Sequence, residues 1–117
     1  MPAIIGGMYK LIAQLEQVGL EFTLEDVEKG AQVILEYAQN LCPVDTGTLR
    51  ASGHLEMKAD DVEIVFDAPY ASYVEFGIKN PNYPVQPFLR PALDEAELQA
   101  LSAIVDSVES HMRDITR

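Results

Sequence analysis

Residues 43–52 read Pro43-Val44-Asp45-Thr46-Gly47-Thr48-Leu49-Arg50-Ala51-Ser52, and the chain changes character across them. Upstream, apolar residues recur at helical spacing. Downstream, they alternate as in a strand. Pro43 has no backbone N–H and disfavours helix in the residue before it, so a helix is expected to stop near Leu41 or Cys42. Asp45 and Thr46 can accept from nearby amides, and Gly47 can take a positive φ, so the corner can be tight. The fold class expected is α+β, a small antiparallel β-sheet packed by N-terminal helices and a long C-terminal helix. The corner residues expected to matter structurally are Pro43, Asp45, Thr46, Gly47 and Arg50.

Upstream of the corner, Leu24, Val27, Ala31, Ile34, Ala38 and Leu41 follow one another in steps of three and four. That spacing predicts an amphipathic helix over about 24–41. Thr23 is suited to cap it, and Glu25 and Asp26 place negative charge in its first turn. Gly30 interrupts the stripe at a cost of about 1 kcal/mol relative to alanine, which suggests close approach of a neighbouring element. Further back, Met8, Leu11, Ile12 and Leu15 predict a helix over roughly 4–18 that ends near Gly19, its first turn weakened by Gly6 and Gly7.

Downstream, Leu49, Ala51, Gly53, Leu55 and Met57 alternate with Arg50, Ser52, His54, Glu56 and Lys58, a half-buried strand starting at Leu49. Ala59-Asp60-Asp61 is a polar turn. Val62, Ile64 and Phe66 predict a second strand paired to the first as a hairpin. Pro69 breaks it. Residues 70–77 fit a helical turn or a distorted strand, and the proline-punctuated stretch 78–87 an extended loop. Leu93, Ala96, Ala100, Ile104, Val108, Met112 and Ile115 then predict one long helix from about Pro91 to Ile115, its distal end free to meet another subunit.

At 117 residues the chain is expected to form one domain spanning 1–117. No apolar run reaches the roughly 20 residues that span a bilayer, and the N-terminus lacks the basic and apolar regions of a signal peptide. One cysteine excludes an internal disulfide. The net charge is −11, with acidic residues spread along the chain, and because Lys and Arg number only eight, tight binding of nucleic-acid phosphates is not expected. The same charge disfavours anionic membranes.

Residues that could carry chemistry read more simply as structure. Asp45-Thr46-Gly47 spells the triplet of aspartic peptidases, but it follows a helix and a proline rather than sitting between strands. Cys42 closes an apolar stripe and reads as a small buried hydrophobe. His54 and Glu56 share a strand face without a metal-binding spacing, and His111 falls on the polar side of a helix. No metal, no cofactor and no catalytic residue is expected. Among the aromatic residues, Phe76 and Phe88 suit a core and Tyr83, set among prolines, a partner contact. Arg50 or Arg90 is expected to pair with Glu75 or Asp45. The candidates for a subunit interface are Tyr73, Glu75, Tyr83, Val85, Phe88 and Arg90.

Three segments in fixed order carry a family likeness: Cys42 to Ser52 (CPVDTGTLRAS), Tyr70 to Gly77 (YASYVEFG) and Gln86 to Ala92 (QPFLRPA). Together they make the chain resemble the small tail-completion, or head–tail joining, proteins of long-tailed bacteriophages and prophages. Ile78 departs from that pattern, where threonine is common after the glycine. The resemblance implies a non-enzymatic assembly protein that completes the tail and joins it to the head. It implies a ring of like subunits, commonly six, around the DNA channel. The partners implied are the tail tube and the head-connector proteins, with DNA passing through the lumen unrecognised. The place implied is the host bacterial cytoplasm during assembly and then the virion neck. A small acidic adaptor or regulator outside the virion is the alternative reading, and an aspartic-type peptidase a remote one.

Overall fold

The computed structural model describes residues 4–42, 47–68, 71–76 and 87–115. In chain order the elements are β1 (Ile4–Gly7), α1 (Tyr9–Gln17), α2 (Leu24–Leu41), α3 (Thr48–Ala51), β2 (Gly53–Met57), β3 (Val62–Phe66), α4 (Ala71–Phe76), α5 (Leu89–Glu95) and α6 (Glu97–Ile115). The fold is α+β, as the sequence pattern implies. The sheet is antiparallel with strand order β1-β3-β2.

α2 is the element every layer touches. It packs on β2 and β3 on one side and on α5 and α6 on the other. Its stripe of Val27, Ala31, Ile34 and Ala38 is buried, which is what steps of three and four require of a helix between two layers. The expected bounds 24–41 match the observed helix. Its start is set by a reciprocal capping box: the Asp26 amide donates to Thr23 Oγ1 at 3.4 Å, and the Thr23 amide donates to Asp26 Oδ2 at 2.9 Å. Thr23→Ala is expected to lower the unfolding free energy by about 1 kcal/mol, read as a shift in urea midpoint with unchanged slope.

Three sequence expectations are corrected. Residues 4–7 do not open a helix. They form a strand that pairs with β3, Ile4 opposite Phe66 and Gly7 opposite Glu63. The helix begins at Tyr9, and it ends as expected near Gly19, whose φ is +74°. Gly7 is needed at the strand end because a Cβ there would lie 2.7 Å from Asp61 Oδ2. The same carboxylate accepts from the Met8 amide at 3.0 Å and the Val62 amide at 2.8 Å, so it ties β1, α1 and β3 together.

The second correction is at Leu49. Residues 48–51 form the helical turn α3, and the strand starts only at Gly53. A single turn buries Leu49 alone, so alternation over four residues does not distinguish it from a strand. The third is at the C-terminal helix. It starts earlier than Pro91, at Leu89, and is interrupted at Ala96, which has φ −97° and ψ 9°. Pro91 is tolerated in the first turn because its missing N–H has no intrahelical partner there.

The hairpin of β2 and β3 matches expectation, with Leu55 opposite Ile64 and Met57 opposite Val62. Phe66 and Phe88 meet edge to face, with ring centroids 4.8 Å apart, and join the sheet to the start of α5. Gly30 lets α2 approach α6 closely: a Cβ there would lie 2.7 Å from Ile104 Cδ1 and 2.9 Å from the Ala100 carbonyl oxygen. The core ends at Val108, and Met112 on the last turns of α6 is 59% exposed.

Candidate functional site

The candidate site has two described parts: residues 47–52 with the end of α2, and α4 with the start of α5. Gly47 sits in the first at φ +78°, a left-handed conformation that favours glycine, and precedes α3 as its N-cap. Arg50 and Gln39 bind each other reciprocally. Arg50 Nε donates to the Gln39 carbonyl at 2.8 Å, and Gln39 Nε2 donates to the Arg50 carbonyl at 3.1 Å. From the helix end the Gln39 carbonyl receives only a long bond, 3.3 Å, shared from the Cys42 amide, so Arg50 supplies it with a better donor and straps α3 to the end of α2. Cys42 lies beside this strap. Burial pushes its thiol up to about 11, against the pull of the Arg50 charge, so it stays protonated and unreactive at neutral pH.

Glu75 is the centre of the second part. Its side chain, on α4, is fully buried. Oε1 accepts from the amides of Phe88 at 2.9 Å and Leu89 at 2.8 Å. Oε2 accepts from the Arg90 amide at 3.0 Å and from Arg90 Nε at 2.9 Å, while Arg90 Nη2 donates to the Glu75 carbonyl at 3.0 Å. Burial alone would raise the carboxyl pKa. The amides of Leu89, Phe88 and Arg90 and the Arg90 guanidinium outweigh it and hold the group below its ordinary range. Glu75 thus caps α5 from a different helix, where the unpaired N–H groups and the positive end of the dipole favour an anion.

The expected pairing of an arginine with Glu75 is therefore present, through Arg90. The three amide bonds were not foreseen. Phe88 is fully buried inside this subunit and Arg90 keeps 57% of its side chain exposed. Tyr73 lies on α4. Pro43, Asp45 and Thr46 of the corner and Tyr83 and Val85 of the loop lie outside the described residues.

A second buried carboxylate joins α2 to α6. Asp26 Oδ1 accepts from Ser107 Oγ at 2.6 Å and lies 3.0 Å from His111 Nδ1. Burial raises its pKa, but the bonds from Ser107 and Thr23 and the His111 charge bring it below the ordinary value. Sequence reading placed Asp26 only in the helix dipole. The available signal was its third position after Thr23, where a capping-box acid belongs. The three groups do not make a nucleophilic triad, because the carboxylate sits between serine and histidine instead of behind the histidine.

On the sheet, His54 Nδ1 lies 3.1 Å from the Ser52 carbonyl and Nε2 lies 3.0 Å from Glu56 Oε2. Both partners are acceptors, so the doubly protonated ring satisfies both. The carbonyl of Ser52 and the carboxylate of Glu56 accordingly raise its pKa. Among the described residues no group of His, Cys, Asp and Glu has the arrangement of a metal site.

A family model described as "Bacteriophage HK97-gp10, putative tail-component" matches residues 9–77. The chain belongs to that family. It is a phage tail component, and the match runs from α1 through α4, taking in Gly47, Arg50 and Glu75. It stops short of Phe88 and Arg90, so the acceptor side of the Glu75 clamp lies inside the matched region and the donor side beyond it. No curated protein and no solved structure matches the chain. Among the described residues, no helix of this tail component is long and apolar enough to cross a membrane.

Proposed function

We propose that the protein completes the phage tail and joins it to the head, as a non-enzymatic ring of like subunits around the DNA path. The observation that carries this reading is membership of a phage tail-component family, with the three quoted segments in order along the chain. Two physical features support it. A net charge of −11 suits a lumen that repels phosphate, because attraction would stall DNA in transit. The Glu75 clamp ties α4 to the start of α5, the described elements on either side of segment 77–86 in the chain, which carries the partner-contact candidates Tyr83 and Val85. A cyclic ring needs two different surfaces on each subunit, and this segment and the distal turns of α6 are the pair we assign to them.

In this reading Tyr73, Tyr83, Val85 and Arg90 contact a neighbouring subunit, the tail tube or the head connector. Phe88 and Glu75 act from within by holding those contacts in place. The subunits assemble in the host cytoplasm, number six to match a six-fold tube, and end in the virion neck. The test is phage assembly without this protein. Filled heads and separate, unjoined tails are expected, with joining restored by adding the purified chain. Whole infectious particles made without it would refute the reading. Deleting 79–85 is expected to leave the subunit folded and to abolish joining.

A further inference from the structure

Among the described residues the sheet has an open side. β2 is an edge strand, since β3 lies next to it and β1 lies beyond β3. Its pairing shows which backbone groups face outward. The Lys58 amide donates across the hairpin to the Asp61 carbonyl at 2.8 Å. His54 and Glu56, opposite Val65 and Glu63, share the parity of Lys58. In an antiparallel ladder alternate residues bond to the same side. Gly53, Leu55 and Met57 therefore aim their N–H and C=O groups away from β3, at the free edge.

The residues along that edge complement themselves. Pairing β2 with a second β2, antiparallel and centred on Leu55, sets Leu55 opposite the partner's Leu55. It sets His54 opposite the partner's Glu56, and Glu56 opposite the partner's His54. His54 and Glu56 point to the same face and already lie 3.0 Å apart in one subunit, so in the pair each imidazole would also face the partner's carboxylate, a juxtaposition of opposite charge across the axis. Met57, 47% exposed, comes opposite the partner's Gly53. Next to Gly53 lies Leu35, 3.0 Å from where a Cβ would stand. A groove of about 500 Å³, lined by Glu28, Lys29, Gln32, Leu35, His54 and Leu55, runs between α2 and this edge. It gives the incoming Leu55 and Met57 side chains an apolar floor and a polar rim. A one-residue slip would put Leu55 on the wrong face of the pair, so the register is specified.

We propose that free subunits pair through β2 as a two-fold dimer, with the antiparallel register centred on Leu55. A two-fold contact is not a contact of a head-to-tail cyclic ring, so this pairing belongs to the protein before assembly. It covers an edge that would otherwise template uncontrolled strand addition. The inference rests on β2 and α2 and stands whether or not the tail-joining role does.

The test is the solution mass of the full chain at tens of micromolar, by light scattering or sedimentation. A mass twice the 12.9 kDa of the subunit is expected. Glu56→Lys sets a cation opposite the partner's His54 and is expected to weaken dimerisation roughly tenfold. The double swap His54→Glu with Glu56→Lys restores opposite charges across the axis and is expected to recover it. Leu55→Cys is expected to form a disulfide dimer on oxidation, because directly opposed Cα atoms lie about 5.5 Å apart. His54→Cys is not, because those two positions are displaced along the strands. Native Cys42 is buried and does not interfere. A monomer at these concentrations, a larger ring in place of the dimer, or a dimer indifferent to the charge changes would overturn the proposal. So would cross-linking at position 54 in preference to 55.

Discussion

Replacing Glu75 with alanine is expected to lower the unfolding free energy by about 3–5 kcal/mol, enough to leave much of the protein unfolded at 37 °C. The loss has a definite origin. The amides of Phe88, Leu89 and Arg90 all point at one carboxylate. Phe88 is fully buried and Leu89 nearly so, so water does not replace the missing acceptor. Arg90 contributes less, because more than half of its side chain is already solvated. Glu75→Gln keeps the shape but turns an NH₂ toward donors, and about half the loss is expected to remain. Thermal unfolding followed by circular dichroism reads both; a melting temperature unchanged in Glu75→Ala would contradict this account.

The same clamp gives acid sensitivity of known sign. Glu75 and Asp26 both have folded-state pKa values below their ordinary values of 4.5 and 3.8. A depressed carboxyl contributes stability that is complete above the ordinary value and is lost as pH falls toward the folded value, since the unfolded chain takes up protons first. The urea midpoint of the native chain is expected to fall as pH drops below about 4.5, and to fall less steeply in Glu75→Gln. Equal slopes in the two proteins would show that other carboxylates set the acid limit.

Gly30→Val is expected to cost about 3 kcal/mol. Alanine alone would gain about 1 kcal/mol of helix propensity over glycine. Here that gain is outweighed, because the new Cβ would stand 2.7 Å from Ile104 Cδ1 and 2.9 Å from the Ala100 carbonyl. Ile104 is fully buried and has nowhere to move, and the carbonyl is backbone. Valine adds two more methyl groups to that gap, so α2 and α6 must part. Ile104→Ala is expected to rescue Gly30→Ala in part, since it removes one contact and leaves the other. Full additivity of the two single changes in a double-mutant cycle would show that they do not meet.

The parts of this fold legible in sequence are those decided by neighbours in the chain. α2 was readable to the residue because its stripe, its Thr23 cap and its acidic first turn all agree. The β2–β3 hairpin was readable because alternation and a polar turn are both local. β1 was not. Four residues ending in two glycines have no period of their own, and Met8, Leu11 and Leu15 absorb them into a helical pattern. What makes them a strand is β3, more than fifty residues on. The interruption at Ala96 was invisible because Leu93, Ala96 and Ala100 keep helical spacing across it.

The site divides the same way. An arginine paired with Glu75 could be expected from a few charges among apolar segments. That the carboxylate would also serve three amides depends on where α4 lies against α5, which no local pattern encodes. The Asp26–Ser107–His111 cluster was missed for the same reason, Asp26 lying about eighty residues before the other two.

The cap on α5 has a corollary for the stretch before it. Because Glu75 binds the amides at 88–90 directly, the two points where the intervening chain leaves and re-enters are held together by the carboxylate and not by that chain. Doubling the number of residues between them would add only about 0.6 kcal/mol of closure entropy. The stretch can thus be lengthened, shortened or replaced at little cost while the foundation beneath it stays put.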